Sequence, residues 1–306
     1  MRRAAVIIAL AVIAGQAAAE DNSLGAASAD KPPSSTIQTG LGVFAGANAY
    51  WASDATANFY SGAPTATDNV GGIYRIMKSN TYGREIWQDL RTNRLITDAV
   101  SDQTMLTVAE YPQMHYRISY QIGLGIRYDY ESGFGWLLRF DLARLNAQGQ
   151  WLLSTDNNTG QLGTDRYLRC GITGQEDRIN IDLAVTRTVS LTEAIVLELN
   201  IGASLVNTKV RDNIIEVNGH TYSILDRWGG RIPDDGVAPY EYINQGGVGY
   251  GFFATAAVGY RLPAVGAIKA AYTCAQLRTV LQNYTAWGWQ HTLGIRIEMN
   301  NFSFLQ

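Results

Sequence analysis

Residues 113–131 read QMHYRISYQIGLGIRYDYE, and this stretch decides the fold. Its even positions are Met114, Tyr116, Ile118, Tyr120, Ile122, Leu124, Ile126, Tyr128 and Tyr130. Its odd positions are His115, Arg117, Ser119, Gln121, Gly123, Gly125, Arg127 and Asp129. One set is apolar or aromatic and the other is polar or glycine, which is the period of an extended strand with two different faces. Strands of soluble domains have a mode of about 5–6 residues. A strand tilted across lipid needs roughly 9–11.

The alternation recurs in 36–51, 134–146, 178–189, 194–210, 247–262, 265–278 and 286–300. In 134–146 the apolar set is Phe134, Trp136, Leu138, Phe140 and Leu142, opposite Arg139 and Asp141. In 286–300 it is Trp287, Trp289, Leu293, Ile295, Ile297 and Met299, opposite Gln290, Thr292, Gly294, Arg296 and Glu298. Eight such segments predict an all-β fold: an eight-stranded antiparallel up-and-down transmembrane barrel, apolar outside and polar inside. Closure is required because lipid leaves no partner for an unpaired strand edge.

The connections alternate in length. They are long at 52–112, 147–177 and 211–246, short at 132–133, 190–193 and 263–264, and moderate at 279–285. Tight turns on one rim and long loops on the other are the outer-membrane pattern, and an even strand number places both termini on the short-turn side. Aromatic girdles are expected from Tyr50, Trp51, Tyr116, Trp287 and Trp289 at the outer rim, and from Tyr128, Tyr130, Phe134, Trp136 and Tyr260 at the inner one. A ten-strand barrel stays open, because Asp165–Thr173 and Asn213–Ile224 also look strand-like. The first of these reads as an extension of the barrel wall above the membrane, and the second as an extracellular hairpin turning at Asn218-Gly219.

At this point the chain resembles the small outer-membrane barrels of the OmpA/OmpX/opacity type. The likeness rests on Tyr116–Tyr130, the Ser132-Gly133 turn, Trp136–Leu145 and the strand Trp287–Met299. It implies a structural scaffold rather than a particular activity. Such barrels commonly end in an aromatic residue; here Phe304 stands third from the end.

Composition agrees with this class. Of 306 residues only 17% are charged, against about 25% in ordinary globular proteins, and the formal net charge is −3. That balance excludes a strongly basic nucleic-acid binder. The chain opens with Arg2-Arg3, the apolar run Ala4–Ala14 and the small-residue triplet Ala17-Ala18-Ala19. Residues 1–19 are therefore expected to be a signal peptide, too short to span a bilayer. Residues 20–35 read as a periplasmic segment and 36–306 as the barrel, with localisation in a bacterial outer membrane.

The inward phase carries six cations (Arg117, Arg127, Arg139, Arg261, Lys269 and Arg296) and five anions (Asp129, Asp141, Asp182, Glu198 and Glu298). Near balance predicts a lumen closed by ion pairs, whereas a selective pore favours one sign. Catalytic chemistry is not found. Of the three histidines, His115, His220 and His291, the last has no serine at a neighbouring same-face position and Thr292 points the other way, so no enzyme, cofactor or metal is expected. The start of a calcium loop at Asp156–Gly160 lacks its distal glutamate and reads as a polar turn. Cys170 and Cys274 are expected to stay unpaired.

Within the first loop, Ile73, Ile76 and Met77, then Tyr82, Ile86 and Leu90, fall at helical spacing, with Asp68 or Asn69 as a cap. Two short amphipathic helices over the barrel mouth are expected. The function then expected is a plugged barrel presenting loops for envelope integrity, adhesion or partner binding. A small-solute or lipid-type channel is the alternative. Expected partners are outer-membrane lipid and lipopolysaccharide, with a protein or surface ligand at the loops and no nucleic acid.

Overall fold

Eight long strands close into one ring. In chain order they are β1 (Gly40–Trp51), β2 (Ser119–Asp129), β3 (Phe134–Ser154), β4 (Tyr167–Ser190), β5 (Ile195–Val217), β6 (Gly247–Leu262), β7 (Gly266–Leu281) and β8 (Tyr284–Met299). Each pairs antiparallel with its sequence neighbours, and β8 returns to β1, with Val43 facing Met299 and Trp51 facing His291. The computed structural model describes residues 40–63, 72–155, 167–225, 246–262, 266–282 and 284–299. Residues 1–19, expected to be a signal peptide, the 20–35 segment, Asp68, Asn69, Asp156–Gly160 and Phe304 lie outside the described residues.

Eight strands, not ten, form the wall. Tyr167–Thr173 is the upper part of β4 itself. The short strand His220–Ser223 folds back on the end of β5, outside the ring. Its turn uses Asn218 at φ 48° and Gly219 at φ 83°, the left-handed pair that a two-residue hairpin turn needs. Two further short strands, Thr107–Glu110 and His115–Tyr116, lie along the upper part of β3.

β3, β4 and β5 contain 21, 24 and 23 residues, so each is about 70–80 Å long and projects far beyond the lipid. Their polarity reverses on the way. In β3 the outward residues up to Leu142 are apolar and Arg139 and Asp141 point inward; beyond it Arg144, Asn146, Gln148 and Gln150 are exposed while Leu145, Ala147, Trp151 and Leu153 are buried. In β4 the switch falls between Ile179 and Asp177, and in β5 between Leu205 and Asn207. Leu142 faces Ile179, so the switch runs at one height across the sheet. The physical cause is a change of solvent. Apolar side chains face out where the surroundings are hydrocarbon and turn in where they are water.

Above that height the strands wrap an apolar head. Helices α1 (Gly72–Lys78) and α2 (Tyr82–Thr92) bury Ile73, Ile76, Met77, Ile86 and Leu90 against Trp151, Leu153, Ile172, Ile215 and Val217. Each such side chain contributes about 1.5–3 kcal/mol when fully removed from water. The helices meet closely at Gly83, where an added Cβ would lie 2.2 Å from the Met77 carbonyl oxygen. Ser79 Oγ accepts the Gly83 amide at 2.9 Å, which satisfies one of the open donors at the start of α2. The helical cap expected from 73, 76, 77, 82, 86 and 90 is present in this form.

One expectation about the inward face fails for a local reason. Tyr116 faces Ala147, but Gln121 faces Ala143, so five steps on one strand answer four on the other. The extra residue is a bulge, and a one-residue slip moves every side chain to the opposite face. Arg117 is therefore exposed on the outside, whereas Met114 is buried in the head and Tyr116 turns in. Tyr50 also leaves the expected girdle. It lies on the inward phase of β1 and is fully buried.

Candidate functional site

The lumen holds three levels of polar side chains. At the short-turn end Arg127 of β2 is the centre. Its Nη2 donates to Asp129 at 2.7 Å and to Thr188 Oγ1 at 2.9 Å, and its Nη1 reaches Glu298 Oε2 at 3.0 Å and also Glu198. Lys269 Nζ lies 2.6 Å from Glu298 and also contacts Glu198. Arg296 Nη1 and Asn200 Nδ2 both donate to Glu198 Oε1, at 3.2 and 2.6 Å. These residues come from β2, β4, β5, β7 and β8, so the contacts cross the lumen. Eight strands leave an interior that side chains just fill. A charge placed there is tolerable only when it is paired and hydrogen-bonded.

The middle level is Arg139. Its Nε lies 2.8 Å from Asp141 Oδ2 and 3.0 Å from Asp182 Oδ2. Two aromatic rings fill the space between ions. The Arg139 guanidinium sits 5.4 Å over the Phe253 ring, and the Arg296 guanidinium 5.4 Å over Phe44.

The upper level is an ion pair that the sequence reading missed. Arg178 and Glu176 of β4 are fully buried, with Nε 2.6 Å from Oε1. Arg178 Nη1 donates to the Tyr50 hydroxyl at 3.2 Å and to Gln290 Oε1 at 3.3 Å; Nη2 donates to Thr56 Oγ1 at 2.9 Å. The Tyr60 hydroxyl donates to Glu176 Oε2 at 2.5 Å. Burial first, and then the Glu176 charge, hold the Tyr60 phenol well above its ordinary range, so it stays a donor. Thr56 and Tyr60 belong to the first loop, Tyr60 on a short 3-10 turn at Ala57–Ser61, so this level ties the head to the barrel. A polar cavity of about 20 Å³ lies between this level and the middle one, lined by Tyr50, Gln121, Arg139, Asn180, Asp182 and Gln290. It is the size of one water or two.

Nine of the eleven charges expected on the inward phase are brought together: Arg127, Asp129, Arg139, Asp141, Asp182, Glu198, Lys269, Arg296 and Glu298. Arg117 is not, for the bulge described above. Arg261 sits at the short-turn rim, with Nη1 donating to the Glu193 carbonyl at 3.2 Å. Carrying the inward phase of Asp182 and Asn180 two residues further each time reaches Arg178 and then Glu176, so that signal was present in the sequence. Thr56 and Tyr60 had none, because their loop has no strand period.

The remaining candidates are dispersed. His115 Nδ1 lies 3.1 Å from Asp54 Oδ2 on the surface, His220 Nε2 lies 3.7 Å from Asp89 Oδ1, and His291 Nδ1 lies 2.8 Å from the Tyr272 hydroxyl. Cys170 is buried in the head and Cys274 lies on the lipid-facing phase of β7; both are free thiols. Burial first, and then the nearby Glu216 charge, push the Cys170 thiol up to about 12.

No protein-family model and no curated protein sequence matches the chain. Among solved structures it is similar to Neisserial surface protein A, with 10% identity, a TM-score of 0.36 and coverage of 86% of this chain and 98% of that one. It is similar to the outer membrane protein OprG of Pseudomonas aeruginosa at 10% identity and TM-score 0.37, covering 87% and 98%. The attachment invasion locus protein Ail of Yersinia pestis gives 9% and 0.30, covering 85% and 100%. These scores are low. The closed ring and the apolar outer band of the chain itself make it an eight-stranded transmembrane-type barrel.

Proposed function

We propose that the chain is an outer-membrane barrel whose lumen is closed by ion pairs and whose head is the working part, presented outside the cell for envelope integrity, adhesion or binding of a surface partner. It carries out no catalytic step. Export by residues 1–19 and residence in a Gram-negative outer membrane belong to the same reading, on the strength of the N-terminal pattern and the apolar band. The observation that carries it is the reach of Arg127 from β2 across the lumen to Glu198 on β5 and Glu298 on β8. Among the described residues, five interior cations answer six carboxylates over three levels, a near balance that leaves no run of one sign for an ion to follow. On the head, Tyr74 with Lys78 over its ring, and Met105, offer exposed contact surface.

The test is conductance of the chain without residues 1–19, refolded and placed in planar bilayers. Silence, together with a gel mobility that changes on boiling, supports a plugged anchor. Steady openings overturn it. The alternative, a narrow conduit for small solutes or lipid-like molecules, is favoured by the polar cavity above Arg139. In that case Arg139→Ala raises the conductance.

A further inference from the structure

The outer surface of the head begins with a row of positive charge. We propose that Arg117, Arg144, Lys209 and Arg211, standing on the first level above the lipid-facing side chains, bind a net-anionic phosphate headgroup of a lipid in the surrounding leaflet. The inference rests on the reading of the chain as a membrane barrel and adds to it a ligand chemistry and the residues that take it.

Strand register sets the row. Leu142 and Ile179 are the last apolar outward pair of β3 and β4. Two residues higher, Arg144 faces Asp177, and Asp177 faces Lys209 on β5. Arg211 is the extra residue of a second bulge, since Gln175 faces Asp212 while Glu176 faces Val210. The first bulge, at the other flank, turns Arg117 outward, with its amide donating to the Asn146 carbonyl at 2.9 Å. Both bulges thus add an outward cation at the same height.

Four exposed cations share this level with two half-buried carboxylates, Asp177 and Asp212, a formal charge of +2. Asp177 accepts Arg144 Nε at 2.8 Å and Arg211 Nε at 2.5 Å, and so holds two guanidinium groups side by side. Burial opposes the ionisation of Asp177, but hydrogen bonds and charge from Arg211 and Arg144 outweigh it and keep the carboxyl below its usual range. Paired guanidinium groups match the oxygen geometry of a phosphate. Ile118, Leu142 and Leu205, all exposed just beneath, offer acyl chains a surface. A ligand with a phosphate and a hydrocarbon tail therefore fits both levels at once, and a water-soluble phosphate fits only one. Basic residues at this height attract anionic headgroups.

The experiment takes the folded chain in dodecylmaltoside micelles, offers phosphatidylcholine or phosphatidic acid, and counts retained lipid by native mass spectrometry. Phosphatidic acid is expected to be retained about tenfold better or more. Arg117→Gln with Lys209→Gln lowers that retention several-fold, and Lys209→Gln alone lowers it partly if the double variant fails to fold. Arg187→Gln, at the opposite rim, leaves it unchanged. Equal retention of both lipids, an equal loss in Arg187→Gln, or displacement of phosphatidic acid by inorganic phosphate overturns the proposal. Failure of the underlying barrel reading shows differently, as a gel mobility that boiling does not change.

Discussion

The Tyr60 hydroxyl reaches from the first loop into the barrel mouth and donates to Glu176 Oε2 at 2.5 Å, where Arg178 already holds the other carboxylate oxygen. A single buried carboxylate thus joins the head to the wall. Arg178 repeats the link through Thr56 Oγ1. The two elements are expected to loosen together.

Tyr60→Phe removes the tether and keeps the ring. It leaves a buried carboxylate oxygen without its donor, at a cost of about 1–3 kcal/mol. Limited proteolysis is expected to cut near residues 52–63 faster in the variant, while boiling still changes its gel mobility. Unchanged cleavage would show that apolar packing of Phe59 and Ile73 alone holds the loop.

Arg178→Met strips the cation from Glu176. Removing one partner of a buried pair costs about 3–5 kcal/mol, because the other charge stays uncompensated. Adding Glu176→Gln should recover most of the loss. Urea unfolding in micelles across this double-mutant cycle measures the coupling, and additive losses would contradict the pairing.

Gly83→Ala tests the junction of the helices. The new methyl would approach the Met77 carbonyl far inside contact distance, so α1 and α2 must separate. A loss of about 1–3 kcal/mol or more is expected in the head alone, since closely packed sites relax only in part. The far-ultraviolet helical signal falls and the barrel persists. A head that melts at the wild-type temperature would refute this.

Cys170 should be inert. With its pKa raised to about 12, the thiol is almost wholly protonated at pH 7–9, and next to no thiolate is offered to a maleimide there. In a Cys274→Ser background, labelling followed by intact mass is expected only after unfolding. Rapid labelling of the folded chain would mean that the head opens around Trp151 and Ile172.

Much of this protein is legible along the chain. The alternation in 113–131 and its seven counterparts determines a closed barrel, because lipid rewards one face and the lumen the other. The Asn218-Gly219 hairpin and the two helices are equally local, each set by turn chemistry or a helical period. Nine charges on the inward phase are buried in the lumen.

Tertiary structure decided the rest. Strand ends and bulges depend on partners across the sheet. The slip between Tyr116 and Gln121 turned Arg117 out, and no periodicity within the strand announces it. Asp165–Thr173 reads as wall above the membrane, but nothing local shows that β3 and β5 run on beside it, because their polarity reverses and the pattern ends at Leu142 and Leu205. Which cation meets which carboxylate was also beyond the sequence. Arg127 and Glu198 lie 71 positions apart, and only closure of the ring sets them face to face.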